Sequence, residues 1–201
     1  NLLDVNRIAH PETLQFINIL KSSAENLKRT LDTYVDVLRQ KESLNEQIEN
    51  IRLEEIFDIV SNSLKTLIHT SNTHLHVDFS ELHSIKFNKI YLESIFLNLI
   101  SNSIKYARPD KSPVISIRSR NTDGVPQLVI SDNGMGFDMD KVRGSIFGFQ
   151  QKFHDHIDSK GIGLYLVYSH ITGLGGQISV ESRVNEGTTF TITFRKDYSA
   201  Q

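Results

Sequence analysis

Apolar positions in the opening stretch of the chain recur at steps of three and four. Leu14, Ile17, Leu20, Ala24, Leu27, Leu31, Val35 and Leu38 form a stripe, with Lys21, Glu25, Lys28, Asp32, Asp36 and Arg39 between them. That spacing predicts one long amphipathic helix. Pro11, between His10 and Glu12, suits a first helical turn, so the helix runs from about Pro11 to about Leu44. At 1.5 Å per residue it would reach about 50 Å. A stripe of that length needs a partner helix or a second subunit, or must lie across its own domain.

The pattern changes after Asn45. Gln47 to Leu53 alternates as a short strand, Leu53 to Ile68 returns to helical spacing, and His74 to Phe79 alternates again. Lys89 to Tyr106 is strongly helical, with Ile90, Ile95, Phe96, Leu99, Ile100 and Ile104 on or near one face. Two β-rich runs follow, Val114–Arg120 and Gln127–Ser131, joined by the hairpin signal Asn121-Thr122-Asp123-Gly124. From Asp132 to Lys160 periodicity is lost, yet Phe137, Phe147, Phe149 and Phe153 punctuate the segment as aromatic anchors of a long functional loop. Gly161 to Thr172 reads as an apolar helix closed by Gly173, Gly175 and Gly176. Strands at Gln177–Arg183 and Thr188–Arg195 flank a turn at Asn185-Glu186-Gly187. Helices mixed with antiparallel strands predict an α+β fold in two layers.

Composition narrows the chemistry. The 201 residues suit one full domain with a smaller attachment. Twenty-two Lys and Arg against 24 Asp and Glu leave a net charge of −2, so no general attraction to nucleic acid or an anionic membrane is expected. The absence of cysteine removes disulfides, thiolate nucleophiles and Cys-ligated metals. Together with the missing signal segment, that makes an intracellular location the plain expectation, and no apolar run approaches the roughly 18 residues that span a bilayer. The chain opens at Asn1, already helical in pattern, as an excised piece of a longer protein would.

Four short segments carry candidate chemistry. Asn98, Asn102 and Lys105 fall at i, i+4 and i+7 on one helical face, and two amides with an ammonium suit a divalent cation and its phosphates. A solvated polar face has the same spacing. Asp132-Asn133-Gly134-Met135-Gly136 follows a strand, where a fixed carboxylate could accept a purine amino group; it is also an ordinary turn sequence. Gly161-Ile162-Gly163-Leu164 opens a helix, where backbone N–H groups could meet phosphate, although neither a P-loop nor a dinucleotide fingerprint is present. Glu186-Gly187-Thr188-Thr189-Phe190 is most simply a hairpin turn.

Taken together, in this order and spacing, the four segments resemble the nucleotide-binding boxes of the sensor histidine kinases, relatives of type II topoisomerases, Hsp90 chaperones and MutL proteins. The run Phe147 to His156, continuing to Gly161–Val167, is similar to a subgroup found in hybrid and PAS-linked bacterial kinases. The resemblance implies a two-layer α/β sandwich preceded by a long N-terminal helix. Residues 1–46 would be a partial dimerisation and phosphotransfer region, and residues 47–201 the catalytic ATP-binding domain. It further implies ATP and Mg²⁺ as ligands, with Asn98, Asn102 and Lys105 as the catalytic group. Asn102 would hold Mg²⁺, Asn98 would lie near the phosphates, and Lys105 would contact phosphate oxygens. Tyr106 would line the site, Asp132 would take the adenine amino group, and Gly134 and Gly136 would shape its loop. Lys160, Gly161, Gly163 and Leu164 would sit at the phosphate end of the lid, Thr188 near adenine, and Phe147 in the aromatic anchor of the lid.

Two departures from the family pattern matter. Ser159 stands where a further glycine is common, which implies a stiffer lid hinge. Asn98 stands where ATP-hydrolysing relatives carry a glutamate, and an amide cannot take a proton from water, so low intrinsic ATPase activity is expected. No residue matches the family's phosphoacceptor histidine: His10 suits the loop before the long helix or its cap. His69, His74, His76 and His83 suit surface or structural places. His154 and His156 either help position the lid or, with Asp155 and Asp158, resemble a metal site; Lys152 and Lys160 either neutralise phosphate or are simply solvated. The chain is therefore expected to bind nucleotide without phosphorylating itself. The parent protein would form a homodimer and pass phosphate to a response-regulator receiver domain. This portion would be cytoplasmic and bacterial, whether or not the parent is membrane-anchored. The alternatives are a non-catalytic nucleotide-binding regulatory module and a structural dimer built on residues 11–45.

Overall fold

The computed structural model describes residues 48–142, 144–148 and 162–196. The helix expected over 11–44, the division at residue 46, His10, Phe149, Lys152, Phe153, His154, His156, Ser159, Lys160 and Gly161 lie outside the described residues. The described elements are β1 (Glu49–Arg52), α1 (Leu53–Ser63), α2 (Lys65–Thr70), β2 (His74–Asp78), β3 (Ser84–Phe87) and α3 (Lys89–Lys105). They continue with β4 (Val114–Thr122), β5 (Val125–Asp132), α4 (Met139–Val142), α5 (Gly163–Gly173), β6 (Gln177–Arg183) and β7 (Gly187–Thr193).

Alternation decides which face of the main sheet is buried. Ile115 and Ile117 in β4, Leu128 and Ile130 in β5, and Phe190 and Ile192 in β7 all point to one face and leave solvent. Register aligns them: Ile117 lies opposite Ile130, Ile130 opposite Phe190, and Leu128 opposite Ile192. Leu53, Ile56 and Val60 of α1, Leu92, Phe96 and Leu99 of α3, and Val167 and Ile171 of α5 join the same core. Helices on one face of a sheet make the two-layer α+β sandwich that the element order predicts. Removing one of these fully buried side chains, as in Leu99→Ala, would cost about 2–5 kcal/mol.

The five strands run in the order β2-β4-β5-β7-β6, and β1 pairs separately with β3. Asp123 (φ 53°) and Gly124 (φ 76°) form the tight turn between β4 and β5, where two left-handed residues match the twist of a hairpin. At the start of α3, the Asn88 side chain accepts the Tyr91 N–H at 3.0 Å and caps the helix.

Three elements differ from the sequence expectation. β2 pairs with β4 in parallel, not antiparallel, because β3 and α3 intervene and return the chain in the same direction. The helix expected over 53–68 breaks at Leu64. Ser61-Asn62-Ser63 favours local bonding there, and the Ser63 hydroxyl donates back to the Ile59 carbonyl at 3.0 Å. β3 is the third difference: four residues, with Ile85 and Phe87 buried against the core. Within the long loop, Met139–Val142 forms one helical turn, and Lys141 pairs with Asp138 at 2.9 Å.

Candidate functional site

The alternation of β5 does not stop at Ile130. Asp132 points to the same face, opposite Ile115 on one side and Thr188 on the other. A carboxylate thus occupies the next core position, at the end of the strand. Its Oδ1 accepts the Gly134 N–H at 2.8 Å and the Thr188 N–H at 3.2 Å, and its Oδ2 accepts the Ser103 hydroxyl at 3.1 Å. Desolvation is the largest influence and pushes its pKa up, while bonds from Gly134, Ser103 and Thr188 pull it down.

Backbone closes around that carboxylate. The Met135 N–H donates to the Tyr106 carbonyl at 2.9 Å, and the Asn185 N–H to the Met135 carbonyl at 2.7 Å. Ser182 ties the two loops together, its Oγ accepting the Phe137 N–H at 2.8 Å and donating to the Gly187 carbonyl at 2.7 Å. Gly187 (φ 116°) is required here: a Cβ would collide with the carbonyl oxygen of Asp132. A Cβ at Gly136 (φ 62°) would likewise strike the Arg183 carbonyl.

A pocket opens over Asp132, with about 370 Å³ of empty space continuous with solvent. Its polar lining is Asn102, Ser103, Tyr106, Asp132 and Thr188, and its other walls are Gly136, Phe137, Leu164 and Phe190. An apolar cleft with a few convergent polar groups is the usual form of a small-molecule site. Asn98 lies one turn before Asn102 on α3. Its Nδ2 donates to the Ser94 carbonyl at 2.8 Å and the Ser94 Oγ at 3.3 Å. At the start of α5, a Cβ on Gly163 would stand 2.7 Å from Asn98 Oδ1 and 3.7 Å from Asn102 Nδ2. The glycine lets α5 approach the two asparagines.

The structure therefore gathers Asn102, Tyr106, Asp132, Gly136, Leu164 and Thr188 around one pocket, with Gly134 bonded to Asp132 at its edge. Asn98 and Gly163 meet beside it. Lys105 is exposed, its Nζ 5.9 Å from the Tyr106 ring centroid. Phe147 stands apart from the pocket lining, stacked on Tyr168 of α5 with ring centroids 5.4 Å apart. His69, His74, His76 and His83 are all exposed, as surface places require. Among the described residues no three His, Asp or Glu side chains cluster as a metal site, and no helix is long and apolar enough to cross a membrane. Ser103, Phe137, Ser182 and Phe190 belong to the site although sequence reasoning named none of them as a site residue; Phe190 closes the fourth segment, and Phe137 was read only as an anchor of the loop. The signal for Ser103 was its place four residues after Leu99, on the buried helix face.

A strand-end carboxylate, a helix bearing paired asparagines and a glycine-opened helix in one α+β sandwich define the class of protein. The chain belongs to the family of histidine kinase-, DNA gyrase B- and HSP90-like ATPases, whose family model matches residues 87–198, and it is a histidine-kinase catalytic ATPase domain. It is 34% identical over 140 residues to the phytochrome-like protein Cph1 of Synechocystis sp., an alignment covering 69% of this chain and 18% of that protein. It is 27% identical over 158 residues to the sensor protein RprX of Bacteroides fragilis, covering 77% and 30%. The chain thus spans less than a third of either relative. Among solved structures, Acinetobacter baumannii histidine kinase AdeS shares the fold with a TM-score of 0.73 at 18% identity, covering 94% of this chain and 87% of that one. Full-length ShkA in complex with AMPPNP does so with a TM-score of 0.76 at 20% identity, covering 94% and 40%.

Proposed function

We propose that the pocket binds ATP with Mg²⁺ and that the domain transfers the γ-phosphoryl group to a histidine supplied on an acceptor helix. The bond from the γ-phosphorus to the bridging oxygen of ADP breaks as a bond to an imidazole nitrogen forms. The observation that carries this reading is the Asp132 carboxylate. Its Oδ1 is bound by two backbone N–H groups, whereas among the described residues its Oδ2 meets only the Ser103 hydroxyl. That hydroxyl also lies 2.9 Å from the Leu99 carbonyl, and it has one proton for two acceptors. An acceptor is left facing a pocket with apolar walls, which suits the amino group of adenine.

Tyr106, Leu164 and Thr188 flank that position, and Gly134 and Gly136 shape its loop. Asn102 and Asn98, opposite the glycine-opened start of α5, fit the phosphate end; Asn102 would hold Mg²⁺, which neutralises phosphate charge when bound. Lys105 and Lys160 would meet phosphate oxygens, Gly161 and Gly163 would admit them, and Phe147 would anchor the segment between. Asn98 offers no proton acceptor to water, in keeping with transfer to a supplied nucleophile and slow hydrolysis without one. In the parent protein the domain would work in a homodimer and feed a response-regulator receiver domain.

Calorimetry of ATP binding with and without Mg²⁺ tests the site. Wild type should bind, Asp132→Ala should lose nucleotide, and Asn102→Ala should lose most of the Mg²⁺ dependence. A folded wild type that binds no adenine nucleotide under either condition overturns the reading. Label from the γ-phosphate appearing on a histidine of a separately supplied acceptor polypeptide supports the kinase. Saturating nucleotide with no label transferred would favour a regulatory nucleotide-binding module.

A further inference from the structure

His170 is the buried histidine of the described residues, 6% exposed, and the site above makes no use of it. It lies on α5, seven residues after Gly163, on the face that meets α3. Its ring sits over Tyr91, with centroids 4.1 Å apart, and its Nε2 is 3.2 Å from the Ser94 hydroxyl. Tyr91, Ser94, Asn98 and Asn102 follow one another along a single stripe of α3 at steps of three and four. The α3–α5 interface therefore has His170 at one end, and Gly163 with the two asparagines at the other.

The bonds along this stripe have a direction. The Asn98 amide donates twice, to the Ser94 carbonyl at 2.8 Å and to the Ser94 Oγ at 3.3 Å. With both N–H groups turned back toward Ser94, its Oδ1 faces the start of α5, where Gly163 leaves room for it. An Oγ that accepts from Asn98 can give its own proton to His170, provided Nε2 is an acceptor. That requires a neutral ring with its proton on Nδ1. Burial supplies the condition, lowering the His170 pKa to about 4, so the ring is uncharged near neutral pH.

We infer that His170, acting through Ser94, is a positioning residue that fixes the Asn98 amide with its oxygen toward the start of α5. The inference rests on the proposed nucleotide site for its consequence: the Mg²⁺ and phosphate end is set from the far end of the α3–α5 interface. The base end around Asp132 shares none of these bonds, so the two ends should respond separately.

The experiment uses the full chain with His170→Leu, His170→Gln and Ser94→Ala. In the nucleotide-free protein, ring nitrogen shifts should show neutral His170 protonated on Nδ1. The Asn98 side-chain NH₂ signals should move in His170→Leu and Ser94→Ala, and move no further in the double variant. Gln carries an acceptor oxygen and should restore them. With nucleotide, the two disrupting variants should weaken Mg-ATP binding roughly three- to ten-fold, the worth of one neutral hydrogen bond, and leave Mg²⁺-free binding unchanged. Unmoved Asn98 signals in a folded His170→Leu or Ser94→Ala protein overturn the inference, as does a ring protonated on Nε2. If wild type binds no nucleotide, the site reading fails and takes the Mg²⁺ consequence with it. The spectra of the free protein still decide whether His170 orients Asn98.

Discussion

Around Asp132 most of the neighbours are main chain: the N–H groups of Gly134 and Thr188, the carbonyl of Gly187 held by Ser182, and Tyr106 bonded to Met135. Around Asn98 the contacts are made by side chains, with its own amide on Ser94, His170 on Ser94, and its oxygen against Gly163. Both regions border the same helix, α3: Ser103 bonds Asp132 of β5, and Asn98 lies five residues earlier along the helix. The first is anchored in strand register, so its geometry is as rigid as the sheet and changes only when backbone moves. The second is set by rotamers and one chain of hydrogen bonds, and can be altered without disturbing the fold. In the proposed nucleotide site, that division would hold a flat base firmly at one end and leave the phosphate end adjustable.

The largest effect should come from adding one methyl group at the rigid end. Gly187→Ala forces a Cβ into the Asp132 carbonyl, in a backbone conformation that alanine resists. We expect a loss of about 3 kcal/mol or more, seen as a drop of roughly 10 °C in thermal unfolding. An unchanged Tm would mean that the hairpin can retreat from Asp132, and the supposed rigidity would be lost.

Acid separates the two ends by sign. His170 has a folded pKa of about 4 against 6.5 for an ordinary histidine, so the unfolded chain binds its proton first. Its contribution to stability is intact above pH 6.5, falls as pH drops toward 4, and levels off below, a loss of up to about 3 kcal/mol. Asp132 runs the other way: its folded pKa is raised, so it favours folding at low pH and loses that contribution as pH rises through the folded value. Denaturant midpoints between pH 7 and 4 should therefore fall in wild type, flatten in His170→Gln and fall more steeply in Asp132→Asn. A wild-type slope kept by His170→Gln would assign the titration to another group.

These two residues also mark how far the sequence could be read. Asp132 was legible as a carboxylate directly after a strand, followed by a Gly-rich run that signalled a close approach but also reads as an ordinary turn; its place on the core face emerged only from the strand register. The asparagine face of α3 was visible in the spacing, but a solvated polar face has the same spacing, and only the resemblance of all four segments gave it a role. His170 was not legible, because a histidine three residues after Val167 in an apolar helix looks like any core-facing position. Its partner Ser94 is 76 residues away in sequence. Ser103 was hidden in the same way: spacing puts it on the buried face, and only the tertiary arrangement brings Asp132 there. β3 escaped notice because four residues are too few to establish a period, and the parallel β2–β4 pairing depends on a connection rather than on either strand.

At the adaptable end, Gly163→Ala should be mild for folding and selective for function. The added Cβ meets the tip of a side chain, Asn98 Oδ1 at 2.7 Å, rather than backbone. Asn98 can rotate away, and alanine favours the helix, so stability should stay within about 1 kcal/mol of wild type. The displaced amide should weaken Mg-ATP binding about ten-fold while Mg²⁺-free binding persists. A folding loss as large as that of Gly187→Ala would erase the difference between the ends.

Ser103→Ala should have the smallest effect and probes the one side chain among the described residues that bonds Asp132. The hydroxyl lies 2.9 Å from the Leu99 carbonyl and 3.1 Å from Asp132 Oδ2, so its single proton is divided between a helix carbonyl already bonded within α3 and a carboxylate that needs a donor. Losing it should cost no more than about 1 kcal/mol, because a methyl group fills nearly the same space. The carboxylate, however, loses one of the three bonds that oppose desolvation, so the Asp132 pKa should rise further, as a carbon-detected titration of its carboxyl group would record. Nucleotide affinity should change less than about three-fold, since Oδ2 stays an acceptor. If the pKa does not move, the proton belongs to Leu99 alone. Asp132 would then be held entirely by backbone, and the contrast between the two ends would be sharper still.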